Sequence, residues 1–268
     1  MNKVLTIYAY IFSRKLFFKW NYFLFHVGLR GMGVLNYTNF IVSGEKFLIN
    51  FLKKNYSLDL VLDVGANDGD YTAFYMDYST QIYCFEPHPN TSRKLTERFK
   101  GNDKIKVIPK GLSNTQTKTV IYDYAQDNGS SHASLYAEVI TDIHNSKMVE
   151  VPIELDTLNS VAQELSIEHI NLLKIDTEGN EYKCLLGASD LLDNGRVDVI
   201  HFEFNEMNVY SGVFMKDFVE LLPNYNLYRL LPSGFLPITY KSHRPLRYEV
   251  FAFQNIVAFR KDIDTLVR

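Results

Sequence analysis

The chain has 268 residues, is 46% hydrophobic and carries a formal net charge of −3, enough apolar content for one α/β domain with an extension. Its lysines and arginines form no long run, so the electrostatic footprint of a nucleic-acid binder is missing and a duplex substrate is excluded. Cys84 and Cys184 stand far apart with no CxxC or Cys/His cluster, which predicts no zinc site and two buried thiols in a reducing cytosol.

The first thirty-five residues interleave aromatics, among them Tyr8, Tyr10, Phe12, Phe17, Phe18, Trp20, Tyr22, Phe23 and Phe25, with Lys3, Arg14, Lys15, Lys19 and Arg30, and contain no acid. A membrane-spanning helix needs about 20 predominantly apolar residues, and Arg14, Lys15 and Lys19 interrupt every such window. The stretch also lacks a small-residue cleavage site of the kind that follows a signal peptide. It fits either an interfacial helix at an anionic membrane or a helix covering one face of the fold. The expected location is therefore cytoplasmic, with peripheral contact at the inner face of the membrane through residues 1–35 left open. A turn at Val42-Ser43-Gly44-Glu45 leads to a helix over Glu45–Lys54, with Phe47, Leu48 and Phe51 on one face. The expected division is a helical extension over 1–56 and a Rossmann-like catalytic domain over 57–268.

Strand-length apolar runs then alternate with helical patterns: Leu58–Val64, Gln81–Phe85, Ile105–Pro109, Ile170–Ile175, Val197–Phe204, Leu227–Leu231 and Val250–Phe259. Such alternation predicts parallel β/α units with helices on both faces. Between Ala125 and Glu150 the sequence turns polar, then resumes as a strand over Val151–Leu155 and a helix over Thr157–Leu165, which reads as an insertion beside the pocket.

Asp63-Val64-Gly65-Ala66-Asn67-Asp68-Gly69 closes the first strand and precedes a helix beginning at Asp70, the strand-turn-helix context of a nucleotide-type loop. Gly65 and Gly69 let the backbone turn sharply and approach a ligand. About twenty residues on, Phe85-Glu86-Pro87 ends the second strand and puts a carboxylate where such folds hold ribose hydroxyls. Asp63 and Asp68 would oppose a pyrophosphate, which argues against a nicotinamide dinucleotide and for a sulfonium bearing an α-amino group. In the plainer alternative Asp68 caps the helix and Glu86 is a solvated loop carboxylate.

The chain resembles the FkbM family of methyltransferases through Val61 to Gly69, Phe85-Glu86-Pro87, Leu155-Asp156-Thr157-Leu158, Leu173-Lys174-Ile175-Asp176-Thr177-Glu178-Gly179 with Glu181, and His201-Phe202-Glu203. Arg30-Gly31-Met32-Gly33 and Ser43-Gly44-Glu45 extend the likeness upstream. The resemblance implies an α/β class I methyltransferase fold, a seven-stranded sheet whose last strand is antiparallel, with helices on both faces. It also implies S-adenosyl-L-methionine as donor and a hydroxyl on a sugar, glycan or natural product as acceptor. On it, Asp63, Gly65, Asn67, Asp68, Gly69, Glu86, Pro87, Asp176 and Glu178 are candidate donor-binding residues, and Ser130 and Ser131 in the insertion are expected to contact the donor.

Ligands of open α/β sheets lie outside the carboxyl ends of the strands, which directs attention to Asp176, Glu178 and Glu181 with Lys174, and to His201, Glu203, Asn205 and Glu206. Alternation puts Lys174 and Asp176 on one face of their strand and His201, Glu203 and Asn205 on one face of theirs. Positioning of an acceptor can supply about 7–11 kcal/mol, and a base among His201, Glu203 and Asp176 roughly 10²–10⁴-fold more. Alternatively, Asp176 with Glu203 or Asn205 holds Mg²⁺, or the carboxylates simply bind substrate hydroxyls and the donor's amino group. N-methylation of an amine, a non-catalytic binding module and a dinucleotide oxidoreductase are the other readings.

Overall fold

The computed structural model describes residues 2–125, 129–130, 133–143, 145–241 and 244–264. Helices α1 (Asn2–Phe12), α2 (Phe18–Gly31) and α3 (Glu45–Asn55) precede β1 (Leu60–Val64), α4 (Asp70–Tyr75), β2 (Gln81–Phe85), α5 (Pro89–Arg98) and β3 (Ile105–Ile108). The chain continues through β4 (Gly111–Leu112), β5 (Thr117–Tyr124), β6 (Met148–Asp156), α6 (Leu158–Glu164), β7 (Ile170–Ile175), α7 (Glu181–Leu186), α8 (Ser189–Asp193) and β8 (Val197–Phe204). It closes with α9 (Met207–Ser211), α10 (Met215–Leu221), β9 (Tyr225–Leu231), β10 (Gly234–Pro237) and β11 (Gln254–Arg260).

The main sheet has the order β10-β9-β11-β8-β7-β1-β2-β3. Strands β3, β2, β1, β7 and β8 pair in parallel, while β11 runs antiparallel between β8 and β9. This is the expected sheet with its reversed last strand, plus an eighth strand: β10 folds back on β9 as a hairpin. A separate sheet, β4-β6-β5, lies outside it. Sequence reading passes over β5 because its apolar run, Val120-Ile121-Tyr122, is short and opens on the polar Thr117-Lys118-Thr119.

Alternation along the central strands sends side chains to two cores. Leu62, Leu173, Ile200 and Ala258 pack with residues of α6, α7, α8 and α10. Their neighbours Val61, Leu172, Val199 and Val257 pack with Leu48, Ile49 and Leu52 of α3, Tyr75 of α4 and Leu95 of α5. Both faces are thus covered, as a parallel sheet requires. The stretch before β1 divides in its packing: α3 lies in the second core, whereas among the described side chains of α1 and α2 only Leu29 is buried.

Candidate active site

β1 lies between β2 and β7, so a crevice opens where the chain leaves the sheet in opposite directions. Gly65 turns there at φ +76°, and a Cβ on it would sit 1.8 Å from the backbone oxygen of Asp176. The N–H of Asp176 donates to Val64 O at 2.9 Å, so the two strand ends are clamped together and only glycine fits. Gly69, at φ +82°, leaves no room between α4 and the side chains of Leu95 and Phe99.

Glu86 is held by one amide of this loop and one of its own segment. Asn67 N–H donates to Glu86 Oε2 at 3.0 Å and His88 N–H to Oε1 at 2.9 Å. Glu86 is 7% exposed, so it is not a solvated loop carboxylate, and burial pushes its pKa up to about 7. Asp68 does not cap α4 either: the cap is Gly69 without a side-chain bond, and the Asp68 side chain is exposed at the rim.

An inner cavity opens beside Gly65, Asn67, Glu86 and Pro87, with Asp176 and Glu178 across from them. Its apolar wall comes from Leu112 and from Ile121, Ile153 and Leu155 of the small sheet. Among the described residues that line it are three carboxylates, Glu86, Asp176 and Glu178, and no lysine, arginine or histidine. Ser130 lines it too and is held by Asp123, a fully buried carboxylate that accepts from the N–H and Oγ of Ser130 and from Gly129 N–H. His88 Nε2 lies 3.4 Å from the same carboxylate, so the insertion is tied to the segment that carries Glu86. Asp123 and His88 escape sequence reading; the signal for His88 is its place directly after Phe85-Glu86-Pro87. Ser131 lies outside the described residues.

On the other side of Asp176 two adjoining concavities form an outer cavity. They share Tyr37, Gly65, Asn67, Asp176, Glu203 and Phe253; one adds Glu178, Asn205, Glu206 and Met207, and the other Phe40, Glu45, Tyr71 and Lys174 among its walls. Asp176 lines both the inner and the outer cavity. Lys174 Nζ sits 3.4 Å from Asp63 Oδ1, 3.4 Å from Asp176 Oδ2 and 4.5 Å above the Tyr71 ring. Burial opposes its charge, but Asp63 and Asp176 outweigh that and hold its pKa above the ordinary lysine range. Glu203 shows the reverse: burial, then Asp176, Glu178 and Glu45, raise its pKa well above normal. Asn205 Nδ2 donates to Glu203 Oε2 at 3.4 Å. Tyr71 donates its hydroxyl to Glu45 Oε1, and Ser43 donates to Oε2 at 2.6 Å.

Three candidate residues, Asp63, His201 and Glu181, stand away from both cavities. Asp63 is 2% exposed, accepts from Thr72 Oγ1 at 2.7 Å and pairs with Lys174; it anchors the turn from behind, and its charge is balanced. Asp63 therefore does not add its charge to that of Asp68 against a pyrophosphate. His201 is 2% exposed within the sheet, with Nε2 3.0 Å from Asn255 Oδ1, and burial lowers its pKa to about 4. It reaches no cavity wall among the described residues. Glu181 locks the β7 loop by accepting from the N–H of Thr177 and Gly179 and from Thr177 Oγ1. Among the described residues, no group of three His, Cys, Asp or Glu is arranged to hold a metal ion.

The profile of the methyltransferase FkbM domain matches residues 63–230. The chain is 24% identical to the 2-O-methyltransferase NoeI of Sinorhizobium fredii over 189 residues, covering 65% of this chain and 75% of that protein. It is 26% identical to the hexuronic acid methyltransferase AglP of Haloferax volcanii, covering 69% and 70%. A crystal structure of methyltransferase FkbM from Methylobacillus flagellatus superposes with a TM-score of 0.47 at 11% identity, over 76% of this chain; the chain spans 44% of that protein's length. The loop, the acid after β2 and the β7 and β8 blocks all fall inside the matched residues, and the chain belongs to the FkbM family as an S-adenosylmethionine-dependent methyltransferase.

Proposed function

We propose that the protein O-methylates a hydroxyl of a sugar or glycan, with S-adenosylmethionine held in the inner cavity and the acceptor in the outer one. The observation that carries this reading is charge: three carboxylates and no cation among the described lining residues suit a sulfonium with an ammonium group and oppose a dinucleotide pyrophosphate. When bound, the donor supplies a methyl group on a sulfonium sulfur. Glu86, whose oxygens each keep a lone pair beyond their backbone bonds, takes the ribose hydroxyls. Leu112, Ile121, Ile153 and Leu155 receive the adenine, and Asp176 and Glu178 hold the α-amino group. Gly65 and Asn67 keep the backbone close to the donor.

Displacement at a methyl needs little covalent help, so fixing the acceptor dominates, at about 7–11 kcal/mol. Tyr37, Phe40 and Phe253 give aromatic faces for the C–H side of a sugar ring, and Asp176, Glu203 and Asn205 bind its hydroxyls. Glu203 takes the hydroxyl proton: its raised pKa makes its ionised form a stronger base, and the step contributes roughly 10²–10⁴-fold. Lys174 balances the cluster while Asp63 positions Lys174; His201 supports the strand. The two relatives, a 2-O-methyltransferase and a hexuronic acid methyltransferase, support a sugar hydroxyl as acceptor. Incubation with S-adenosylmethionine and a panel of uronic acids and oligosaccharides, read by S-adenosylhomocysteine release and methoxy NMR signals, tests the proposal. A methyl ether is expected; an N-methyl product, or no release with any hydroxylated acceptor, contradicts it.

A further inference from the structure

We infer that the α1–α2 hairpin is a membrane-surface anchor that seats the enzyme on an anionic bilayer with the outer cavity opening toward the headgroups. From residue 3 to residue 28 no side chain is buried, although most are apolar: Tyr10 is 81% exposed, Leu16 85%, Trp20 52% and Phe23 56%. An exposed apolar surface of this extent marks an interaction site, and its interleaved Lys3, Lys15 and Lys19 fit a helix lying in an interface rather than one buried in a core.

The hairpin is nevertheless a built element. Tyr8 donates to Asn21 Oδ1 at 2.6 Å, Asn21 Nδ2 donates to Phe12 O at 3.0 Å, and the rings of Phe12 and Phe17 meet edge-on at 5.1 Å. Its root is fixed to the sheet by buried Leu29 and Val34, by Arg229 Nη1 donating to Met32 O at 3.2 Å, and by Leu35 N–H donating to Phe253 O at 2.7 Å.

Charge selects the occupant. Residues 1–44 carry five lysines and arginines and no acid, which leaves −8 on the remainder of a chain whose net charge is −3. Anionic headgroups complement that cationic end, whereas the hairpin of a second copy would bring like charge against it. Aromatic rings with polar tips, Trp20, Tyr8, Tyr10 and Tyr22, suit the level of the headgroups. Helices of 11 and 14 residues lie along the interface, and no helix among the described residues is long and apolar enough to cross it.

The anchor leads directly into the site. Tyr37 and Phe40, which wall the outer cavity, follow the root, and exposed Tyr37 and Ile41 continue the apolar strip to the rim. Resting on the function proposed above, this makes the acceptor a glycan on a lipid carrier, presented at the bilayer.

Sedimentation of the full chain with phosphatidylglycerol/phosphatidylcholine vesicles, against phosphatidylcholine alone, tests the anchor without any turnover. Trp20, the only tryptophan in the chain, reports insertion by its fluorescence. Expected are binding and a blue shift only with the anionic vesicles, and at least tenfold weaker binding for both W20S/F23S/F25S and K15E/K19E, with unchanged melting temperatures. No sedimentation, no shift, equal binding of the variants, or a dimer in light scattering that F23S dissociates would overturn the inference. S-adenosylhomocysteine binding measured on the same samples reports separately on the methyltransferase reading.

Discussion

Glu86→Gln isolates the contact proposed to hold the donor's ribose. Each carboxylate oxygen of Glu86 accepts one backbone N–H, from Asn67 at 3.0 Å and His88 at 2.9 Å. An amide has one oxygen, so one N–H would face another donor at a position only 7% exposed. Losing a charge-assisted bond there costs about 1.5–3 kcal/mol, roughly ten- to hundredfold in the Kd for S-adenosylhomocysteine measured by isothermal titration. Titration adds a second signature. With its pKa raised to about 7 in the folded protein from an ordinary value of 4.5, Glu86 binds a proton that the unfolded chain has released. Its contribution to stability is therefore full below pH 4.5 and lost as pH rises through 7. Ribose hydroxyls need the ionised acceptor, so wild-type affinity should rise between pH 6 and 8 while the glutamine variant loses that rise. A Kd within twofold of wild type, or the same pH profile in both, would refute the role assigned to Glu86.

Gly65→Ala places a Cβ against the Asp176 carbonyl at positive φ, and should cost about 2–4 kcal/mol in urea unfolding together with donor binding; a loss under 0.5 kcal/mol would contradict the clamp. Glu203→Gln should lower kcat by roughly 10²-fold or more while S-adenosylhomocysteine affinity is kept, and loss of both would assign Glu203 to the donor or the fold. Lys174→Met leaves Asp63 buried without its cation and should destabilise by about 3–5 kcal/mol; an unchanged unfolding midpoint would show that Asp63 is balanced otherwise.

Much of the site is legible in the sequence because it is local. The turn from Asp63 to Gly69 and the acid at Glu86 follow from a buried strand, glycines and spacing, and alternation correctly brings Asp176 and Glu203 to one cavity from neighbouring strands. Depth is not legible in the same way. His201 and Glu203 share a face of β8, yet two residues of strand rise separate a side chain sealed against Asn255 from one that lines the cavity. Asp63 looks like a ligand contact until Lys174, distant in sequence, is seen to pair with it. The outer wall joins Tyr37 and Phe40 to Phe253 across most of the chain, and the buried Asp123 that gathers the insertion follows the short apolar run Val120-Ile121-Tyr122 without any local sign of its partners. Such contacts depend on tertiary pairing, which no local pattern encodes.

Titration calorimetry of the purified chain with S-adenosylhomocysteine and, separately, with NADH tests the central claim most directly. Saturable binding of S-adenosylhomocysteine and none of NADH is the result that the carboxylate-lined inner cavity predicts. Binding of NADH instead, or of neither ligand by the folded protein, would contradict it.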